Sequence, residues 1–304
     1  MKRIKLILKN ITSWSGIIFL LNLTSFSKKL SDETVLKAHY KKRTGKKLNI
    51  SNPKTFNEKL QWLKIHNRNP EYTRIVDKVT FKDYIREKLG DGYTVPTLGV
   101  WDKFDDIDFD KLPDKFVLKC NHDSGGLIIC KDKSKLDIDH AREIIEKCLK
   151  RNYYWSSREW PYKDVKPCIL AEEYLDLPEG MVEYKLFSFN GEAKVIDVCM
   201  GIAHTSSRTN TFYDREWNKL PIQTLLPNEK GDIEAPKELP QMLEIADKLS
   251  KGIPQVRVDF YIYKGQIYLG EMTFFHNSGT CPINPEEWDY KLGEYIDLSI
   301  VDNK

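Results

Sequence analysis

Residues 256–277 have the sequence VRVDFYIYKGQIYLGEMTFFHN, a pattern that predicts two β-strands joined by a turn at Lys264-Gly265. Each strand carries one carboxylate, Asp259 or Glu271, among apolar and aromatic residues. Because strand side chains alternate between faces, Arg257 is expected on the same face as Asp259. The antiparallel hairpin should then bring Asp259 and Glu271 close together across the ladder.

Two neighbouring carboxylates repel each other, and burying them is costly unless a cation lies between them. Mg²⁺ prefers oxygen ligands and usually takes one or two carboxylates together with substrate phosphates. The hairpin therefore predicts a magnesium–nucleotide site formed by Asp259 and Glu271. The alternative is a solvated strand face on which Arg257 pairs with one of the acids.

The composition is that of a globular protein: 304 residues, of which 40% are hydrophobic and 31% charged. This length allows one large domain or a few small ones. The net charge of +3 is too small to indicate a nucleic-acid partner. Six scattered cysteines without a CxxC pair suggest neither a zinc site nor a disulfide framework, so a cytoplasmic location is expected.

Residues 1–30 combine basic side chains with an apolar patch over 16–23. The patch is too short to span a bilayer, which takes about 20 apolar residues. It predicts an amphipathic helix that either packs on the domain or rests on the inner face of the membrane.

The pattern is helical over 31–92 and changes to strands after Gly92. Ser31 and the pair Thr55–Glu58 are N-terminal helix signals, the second a capping box. A further helix is predicted over 77–90. Strands are expected over 93–100, 116–120, 127–130 and 169–175, with a hairpin over 183–200 turning at Asn190-Gly191 and helices over 138–149 and 239–250. The stretch 204–232 shows no regular pattern.

A second nucleotide signal lies at Lys119, where a strand ends in a small loop that contains Ser124, Gly125 and Gly126. Glycines let backbone N–H groups approach phosphate oxygens, and the ammonium supplies charge. The loop returns to a strand, so this is not a Walker A motif. A simple Gly-Gly hairpin turn is the alternative interpretation.

Three other features fit a nucleotide enzyme less specifically. The strand end Glu172-Glu173-Tyr174-Leu175 suits adenine and ribose, although solvated acids on an edge strand would look the same. Lys185 shares a face with Glu183 and is either a phosphate contact or a surface ion pair. Asp105–Asp110 contains a DxD spacing of the kind that glycosyltransferases use for metal. His122, His204, Arg208 and His276 are candidate substrate contacts near these loops, or structural residues.

In this order the features resemble the ATP-grasp superfamily, and within it the TupA-like branch named for teichuronopeptide biosynthesis. The resemblance spans about residues 31–298 and is strongest in 52–62 (NPKTFNEKLQW), 116–122 (FVLKCNH), 184–191 (YKLFSFNG) and 256–261 (VRVDFY). It implies an α+β ATP-grasp fold in which two α+β subdomains, 93–176 and 177–304, grip ATP. The helical region 31–92 precedes them, as does the N-terminal helix of 1–30.

The resemblance also implies residue roles. Lys78, Lys119 and Lys185 would contact phosphates, the loop 123–126 would cover them, and Glu172 to Leu175 would form the adenine hinge. Arg257 would steady the acyl phosphate or tetrahedral intermediate, and Lys185 would assist as the second catalytic residue. Asp259 and Glu271 would hold Mg²⁺. The family's third ligand is usually Asn two residues after the Glu; here that residue is Thr273, with Asn277 further on.

The implied reaction is ATP-dependent ligation through an acyl phosphate. Its expected partners are a carboxylate-bearing sugar or glycan precursor, such as a uronic acid or acidic side chain, and an amine, in the synthesis of cell-surface polysaccharide. Two alternatives stay open: a glycosyltransferase that uses Asp108 and Asp110, and a non-catalytic ATP-binding scaffold.

Overall fold

The computed structural model describes residues 16–18, 21, 28–177, 181–201, 205 and 207–301. Four helices come first: α1 (Asp32–Thr44), α2 (Phe56–His66), α3 (Glu71–Val76) and α4 (Thr80–Leu89). The Ser31 side chain caps α1, and Thr55 with Glu58 forms the predicted capping box of α2. Helix α4 starts at Thr80 rather than 77, because the Asp77 carboxylate accepts from the Val79 N–H while the Lys78 N–H donates to Asn121 O.

The first sheet has four antiparallel strands in the order β1-β4-β2-β3: β1 (Thr97–Trp101), β2 (Phe116–Cys120), β3 (Leu127–Cys130) and β4 (Ile169–Glu173). Helices α5 (Ile138–Leu149) and α6 (Tyr154–Ser157) lie between β3 and β4 in the chain. Strand β1 begins at Thr97 rather than 93, because Pro96 has no N–H for the ladder. Alternation along β2 buries Leu118 against α5 and turns Lys119 to the other face.

The second sheet has six antiparallel strands in the order β10-β9-β5-β6-β7-β8. They are β5 (Glu183–Phe189), β6 (Glu192–Met200), β7 (Thr209–Tyr213), β8 (Lys219–Leu220), β9 (Val256–Tyr263) and β10 (Gln266–Thr273). Helix α7 (Leu239–Ser250) packs on β5, β6 and β9, and helix α8 (Glu287–Glu294) packs on α2. Strands β7 and β8 fall in the stretch where no regular pattern was found.

Both predicted hairpin turns are confirmed. Asn190 and Gly191 have φ of 46° and 94°, and Lys264 and Gly265 have φ of 52° and 77°. A two-residue turn with positive φ at both central residues has a backbone twist that matches the twist of the two strands it joins. In the sheet, β9 lies between β5 and β10, in the half that carries the acidic residues.

Short 3-10 helices occupy connections at Phe104–Asp106, Phe109–Lys111, Lys133–Lys135, Trp160–Tyr162, His276–Gly279 and Leu298–Ile300. One large apolar core joins α2, α3 and α4 to the second sheet and α7, and a smaller core fills the space between the first sheet and α5. The large core ties the N-terminal helices to the second sheet, which places their lysines beside the hairpin of β9 and β10.

The expected N-terminal helix lies largely outside the described residues, although residues 16–18 are helical. Among the described residues, no helix has the length and apolar character needed to cross a membrane. The subdomain boundaries at 92 and 176 stay predictions.

Candidate active site

A β-bulge aligns the two acidic residues of the hairpin. Leu269 pairs with Phe260, yet Glu271 pairs with Asp259, so Gly270 is an extra residue on β10. Without this bulge Glu271 would lie opposite Val258, which points into the apolar core. The bulge therefore places both carboxylates on one face, as the sequence predicted. A glycine inside a strand often marks a bulge, so Gly270 was the sequence signal for it.

Arg257 is the cation between them. Its Nε and Nη2 donate to the two carboxylate oxygens of Asp259, each at 2.6 Å, and Nη2 also lies 3.1 Å from Glu271 Oε1. Nη2 is 3.1 Å from Thr273 Oγ1 as well, and the Thr273 hydroxyl donates to Glu271 Oε1 at 3.0 Å. The pairing of Arg257 with an acid thus occurs together with the clustering of the acids, but on a buried face, since Arg257 and Asp259 are each 7% exposed.

His276 is a further hydrogen-bond partner of Arg257, because Arg257 Nη1 donates to His276 Nδ1 at 2.7 Å. Burial and then the positive charges of Arg257 and Lys185 hold the pKa of His276 well below its usual range. The imidazole is therefore neutral at neutral pH and acts as an acceptor that orients Arg257. The other ring nitrogen is 3.0 Å from Asn277 Nδ2.

Lys185 extends this cluster along the sheet. In the ladder it lies opposite Asp259 on one side and Asp197 on the other, and its Nζ is 3.5 Å from Asp259 Oδ2. Lys185 Nζ is also 3.3 Å from Glu183 Oε2, which in turn pairs with Arg208 at 2.5 Å. Asp197 was missed by sequence reasoning because an isolated acid on a strand gives no local signal.

The pKa values reflect the crowding of charge. Burial raises the pKa of Asp259 although Arg257 and Lys185 oppose that change. Burial also acts against ionisation of Glu271, but the charges of Arg257, Lys78 and Lys185 outweigh it and lower the pKa of that carboxyl. The Glu271 side chain is 51% exposed, so it is the acid open to a ligand.

A second cluster lies on the first sheet, around the Glu172 carboxylate. Lys119 pairs with Glu172 Oε2, and Lys82 from α4 lies 2.6 Å from Oε1. Burial opposes ionisation of Glu172, yet the two lysines prevail and lower its pKa. Lys78 donates to Asp123 O at 2.7 Å, and burial lowers its pKa. The sequence pointed to Lys78 and Lys119 but not to Lys82, because its partner Glu172 lies far away in the chain.

Two cavities meet at Lys78. A small one of about 90 Å³ is lined from both sheets, by Lys119 and Glu172 on one side and by Tyr261, Leu269 and Gly270 on the other, with Lys78 and Lys82 from the helical region. A larger one of about 470 Å³ is lined by Lys78, Arg257, Glu271, Thr273 and Asn277, among others. Lys78 thus lies between a lysine-rich cavity and the acidic hairpin.

The predicted phosphate loop lies at the edge of the larger cavity, which Asp123 and Ser124 line. Gly126 has φ of 65°, and a Cβ there would come within 2.7 Å of the sulfur atoms of Cys120 and Cys148. This position therefore requires glycine, as a closely packed loop would.

Other candidate residues lie away from the two cavities. Glu173, Tyr174 and Leu175 do not line the small cavity, and Arg208 is linked to the site through its ion pair with Glu183. His122 is buried between Asn121 Oδ1 at 3.2 Å and Arg151 O at 3.1 Å, the partners of a structural histidine. His204 lies outside the described residues.

The DxD stretch has local partners instead of a cavity. Asp108 pairs with Lys111 at 2.9 Å, and neither Asp108 nor Asp110 lines the cavities described above. Asp105, at the start of the stretch, pairs with Arg142 at 2.5 Å. The two acids of the glycosyltransferase interpretation therefore lie outside both cavities.

The donor set of the hairpin fits Mg²⁺. Asp259, Glu271, Thr273 and Asn277 all carry side-chain oxygens, and Glu271 keeps Oε2 free of hydrogen bonds to described residues. Mg²⁺ takes such oxygens together with phosphate oxygens. Which of these four residues act as ligands stays a prediction, as do the roles of the other candidates.

Comparison with protein families gives a match to the TupA-like ATPgrasp family over residues 58–297, most of the chain. The chain belongs to the TupA-like ATP-grasp family. The expected fold and the resemblance found in the sequence are thereby confirmed.

Solved structures that are similar to this TupA-like chain include a D-alanine–D-alanine ligase from Bacillus anthracis in complex with ATP. It is 20% identical, with 73% of this chain and 64% of that chain covered and a TM-score of 0.45. An L-amino acid ligase from Bacillus licheniformis is 16% identical, with 68% and 44% covered and a TM-score of 0.42. No curated protein matches the chain.

Proposed function

We propose that this TupA-like protein is a carboxylate–amine ligase that forms an amide on a uronic acid or acidic side chain during synthesis of a cell-surface polysaccharide. The observation that carries the proposal is the position of Lys78 between the two cavities. One cavity offers lysines to a nucleotide, and the other offers Arg257 and Glu271 to the atoms that would react with the terminal phosphate.

The lining of the larger cavity supports an acidic, hydroxylated substrate. Arg43, Lys78 and Arg257 contribute positive charge, which suits a carboxylate. Tyr153, Tyr162, Ser278 and Thr280 add hydroxyl groups that suit a sugar. This lining favours a sugar that carries a carboxylate as the acceptor.

The reaction has two steps. A substrate carboxylate oxygen attacks the γ-phosphorus of ATP, which gives an acyl phosphate and ADP. An amine nitrogen then attacks the acyl carbon, the bond to the phosphate oxygen breaks, and its electron pair leaves with the phosphate. Negative charge grows on the transferred phosphoryl group and on the acyl oxygen.

Preorganised cations stabilise that charge. Lys78 and Lys119 are placed to hold phosphates, and Arg257 is held rigidly by Asp259 and His276. Bound Mg²⁺, held by Asp259 and Glu271, would neutralise charge on the phosphates. Closure of the loop over 123–126 would exclude water, which protects an acyl phosphate from hydrolysis.

ADP release tests the proposal. The protein is given ATP, Mg²⁺ and one carboxylate from a panel (glucuronate, galacturonate, UDP-glucuronate and polygalacturonate). Each is paired with alanine, serine, lysine, glutamate or ammonium. We expect ADP only when both a carboxylate and an amine are present, with an amide product detected by mass spectrometry.

The control variants are Asp259→Asn, in the hairpin, and Asp108→Asn, in the exposed DxD stretch. The first should abolish ADP release and the second should leave it unchanged. UDP release from the nucleotide sugar, without ADP, would contradict the proposal and favour a glycosyltransferase. Binding of ATP without turnover of any pair would favour the scaffold interpretation.

A further inference from the structure

A third carboxylate lines the larger cavity and is not used by the steps above. Glu159 lies between Arg158, which has φ of 57°, and the 3-10 helix Trp160–Tyr162. It is only 5% exposed, yet it shares the 470 Å³ cavity with Arg257 and Glu271. A buried carboxylate is costly unless it is compensated, so its position in a reaction cavity calls for a function.

The compensation for Glu159 is electrostatic and incomplete. Lys64 of α2, which is 1% exposed, donates to Ser157 O at 2.9 Å, Ser278 O at 3.0 Å and Ser278 Oγ at 2.7 Å. An ammonium has three N–H groups, so these acceptors use all of them. Lys64 therefore acts on Glu159 through its charge, while the hydroxyls of Ser278 and Ser157 are the side-chain hydrogen-bond partners of Glu159.

Burial raises the pKa of Glu159, although Lys64 and the hydroxyls of Ser278 and Ser157 act in the opposite direction. The titratable groups that face it are Lys64 from α2, Glu271 from β10, and Tyr153 and Tyr162 from the segment around α6. An ionised carboxylate has about four acceptor sites, so the two serine hydroxyls leave others for a ligand, and the raised pKa makes Glu159 more basic than a solvated glutamate.

We propose that Glu159 forms the subsite for the amine, where it binds the nucleophile as an ammonium ion and accepts its proton. This inference rests on the proposed ligase function and deepens it, since it names the group that makes the amine reactive. It also specifies the class of nucleophile, because a buried negative charge attracts an ammonium and repels a thiolate.

The proton balance is as follows. The ammonium gives one proton to the Glu159 carboxylate and becomes a neutral amine with a free electron pair. That pair forms the C–N bond as the C–O bond to phosphate breaks. The second proton leaves the nitrogen with the departing phosphate, which ends as hydrogen phosphate. Glu159 then returns its proton to solvent when the amide leaves.

The test compares two nucleophiles in one variant, with the carboxylate and the amine that give the highest ADP release in the panel. Hydroxylamine is the second nucleophile, because it is largely uncharged at neutral pH and needs no base. We expect Glu159→Gln to slow amide formation about 10²–10⁴-fold, the usual contribution of general base catalysis. Hydroxamate formation should fall far less, so that the ratio of the two rates changes at least about 10²-fold.

Two further variants separate catalysis from folding. Asp289→Asn changes a buried acid outside the cavity that accepts from Asn57, and should affect both nucleophiles equally. The double variant Lys64→Met/Glu159→Gln also removes the ammonium, which in the single variant keeps only the weaker effect of Asp32 among the acids that act on it. It should stay as slow with the amine as Glu159→Gln, with thermal unfolding confirming that both are folded.

An equal loss with both nucleophiles, or no loss with either, would overturn the assignment of Glu159. Recovery of the amine rate in the double variant would do the same, because Glu159 would then be only the partner of Lys64. Absence of ADP release with every pair in the wild-type protein would remove the proposed function and this inference with it. Normal ADP release with an unchanged rate ratio would remove the inference alone.

Discussion

The four-stranded sheet and the six-stranded sheet contribute different charge balances to the region between them. On the first sheet, Lys119 joins Lys78 and Lys82 around the single carboxylate of Glu172. On the second, Arg257 and Lys185 are matched by Asp259 and Glu271. The first cluster has an excess of positive charge, whereas the second is balanced.

This difference separates binding from chemistry. Excess lysines attract phosphates and need little precision, because an ammonium is a compact charge on a flexible stem. The balanced cluster is held rigid by a guanidinium that bonds both oxygens of Asp259, so its geometry is preset before a substrate arrives. Changes in the balanced cluster should therefore damage the fold as well as activity, and changes in the other should damage binding alone.

The largest effect is expected from Arg257→Met. Removing this buried cation takes both hydrogen bonds from Asp259 and leaves it the more distant Lys185, at 3.5 Å, which should cost about 3–5 kcal/mol of unfolding free energy. ADP release should fall at least about 10²-fold, because charge stabilisation at the reacting oxygens is lost. Urea unfolding and the ADP assay measure the two effects.

The matched control is Arg215→Met. Arg215 also bonds both oxygens of a carboxylate, that of Asp247, at 2.9 and 3.0 Å, but both side chains are 29% exposed. This substitution should lower the free energy of unfolding by about 1 kcal/mol or less. Equal losses for the two variants would show that the balanced cluster is no more rigid than a surface pair.

The next effect concerns Asp197, which faces Lys185 in the balanced cluster and is 2% exposed. Burial raises the pKa of Asp197 from 3.8 to about 6, although Lys185 and Arg257 oppose the change. An acid whose pKa is raised by folding stabilises the folded state fully below the unfolded value and loses that contribution as the pH rises through about 6.

The wild-type protein should therefore lose about 2–3 kcal/mol relative to Asp197→Asn between pH 4 and pH 7.5. Urea unfolding of both proteins at a series of pH values in this range measures the difference. Parallel curves for the two proteins would mean that Asp197 ionises normally in the folded state.

A smaller effect is expected from Lys119→Met in the cluster of lysines around Glu172. One charged contact to phosphate contributes about 1.5–3 kcal/mol, so the affinity for MgADP should fall about 10- to 100-fold. Stability should change little, because Lys82 still pairs with Glu172. Calorimetric titration with MgADP measures the affinity.

Lys166→Met is the control for Lys119. Lys166 precedes β4 and pairs with exposed Asp102 at 2.8 Å, away from the small cavity. The affinity of the Lys166→Met variant for MgADP should equal that of the wild type. A loss of the same size in both variants would indicate a general effect of net charge.

The smallest effect is expected from Thr273→Val, which keeps the shape and removes the hydroxyl that contacts Glu271 and Arg257. Loss of about 1 kcal/mol corresponds to a rate change of about fivefold. ADP release measured against Mg²⁺ concentration shows whether the loss lies in metal binding. A loss as large as that of Arg257→Met would make Thr273 a principal ligand.

The sequence predicted the balanced cluster better than the cluster of lysines around Glu172. Arg257, Asp259 and Glu271 lie on one hairpin, where strand alternation and a two-residue turn determine which side chains meet. Even here the bulge at Gly270 was not anticipated, and it decides that Glu271 opposes Asp259. Lys82 and Glu172 are 90 positions apart in the chain, and no local pattern predicts their contact.

By itself, the sequence determined the hairpin turns, the helix caps and the grouping of Arg257, Asp259 and Glu271, because each depends on neighbours within a few positions. The fold class followed from the resemblance to the ATP-grasp family over most of the chain. Only the tertiary structure placed Glu159, Lys64, Lys82 and Asp197 around the site. Their side chains come from separate helices, strands and loops. Their burial and pKa values arise from packing between elements that are distant in the chain.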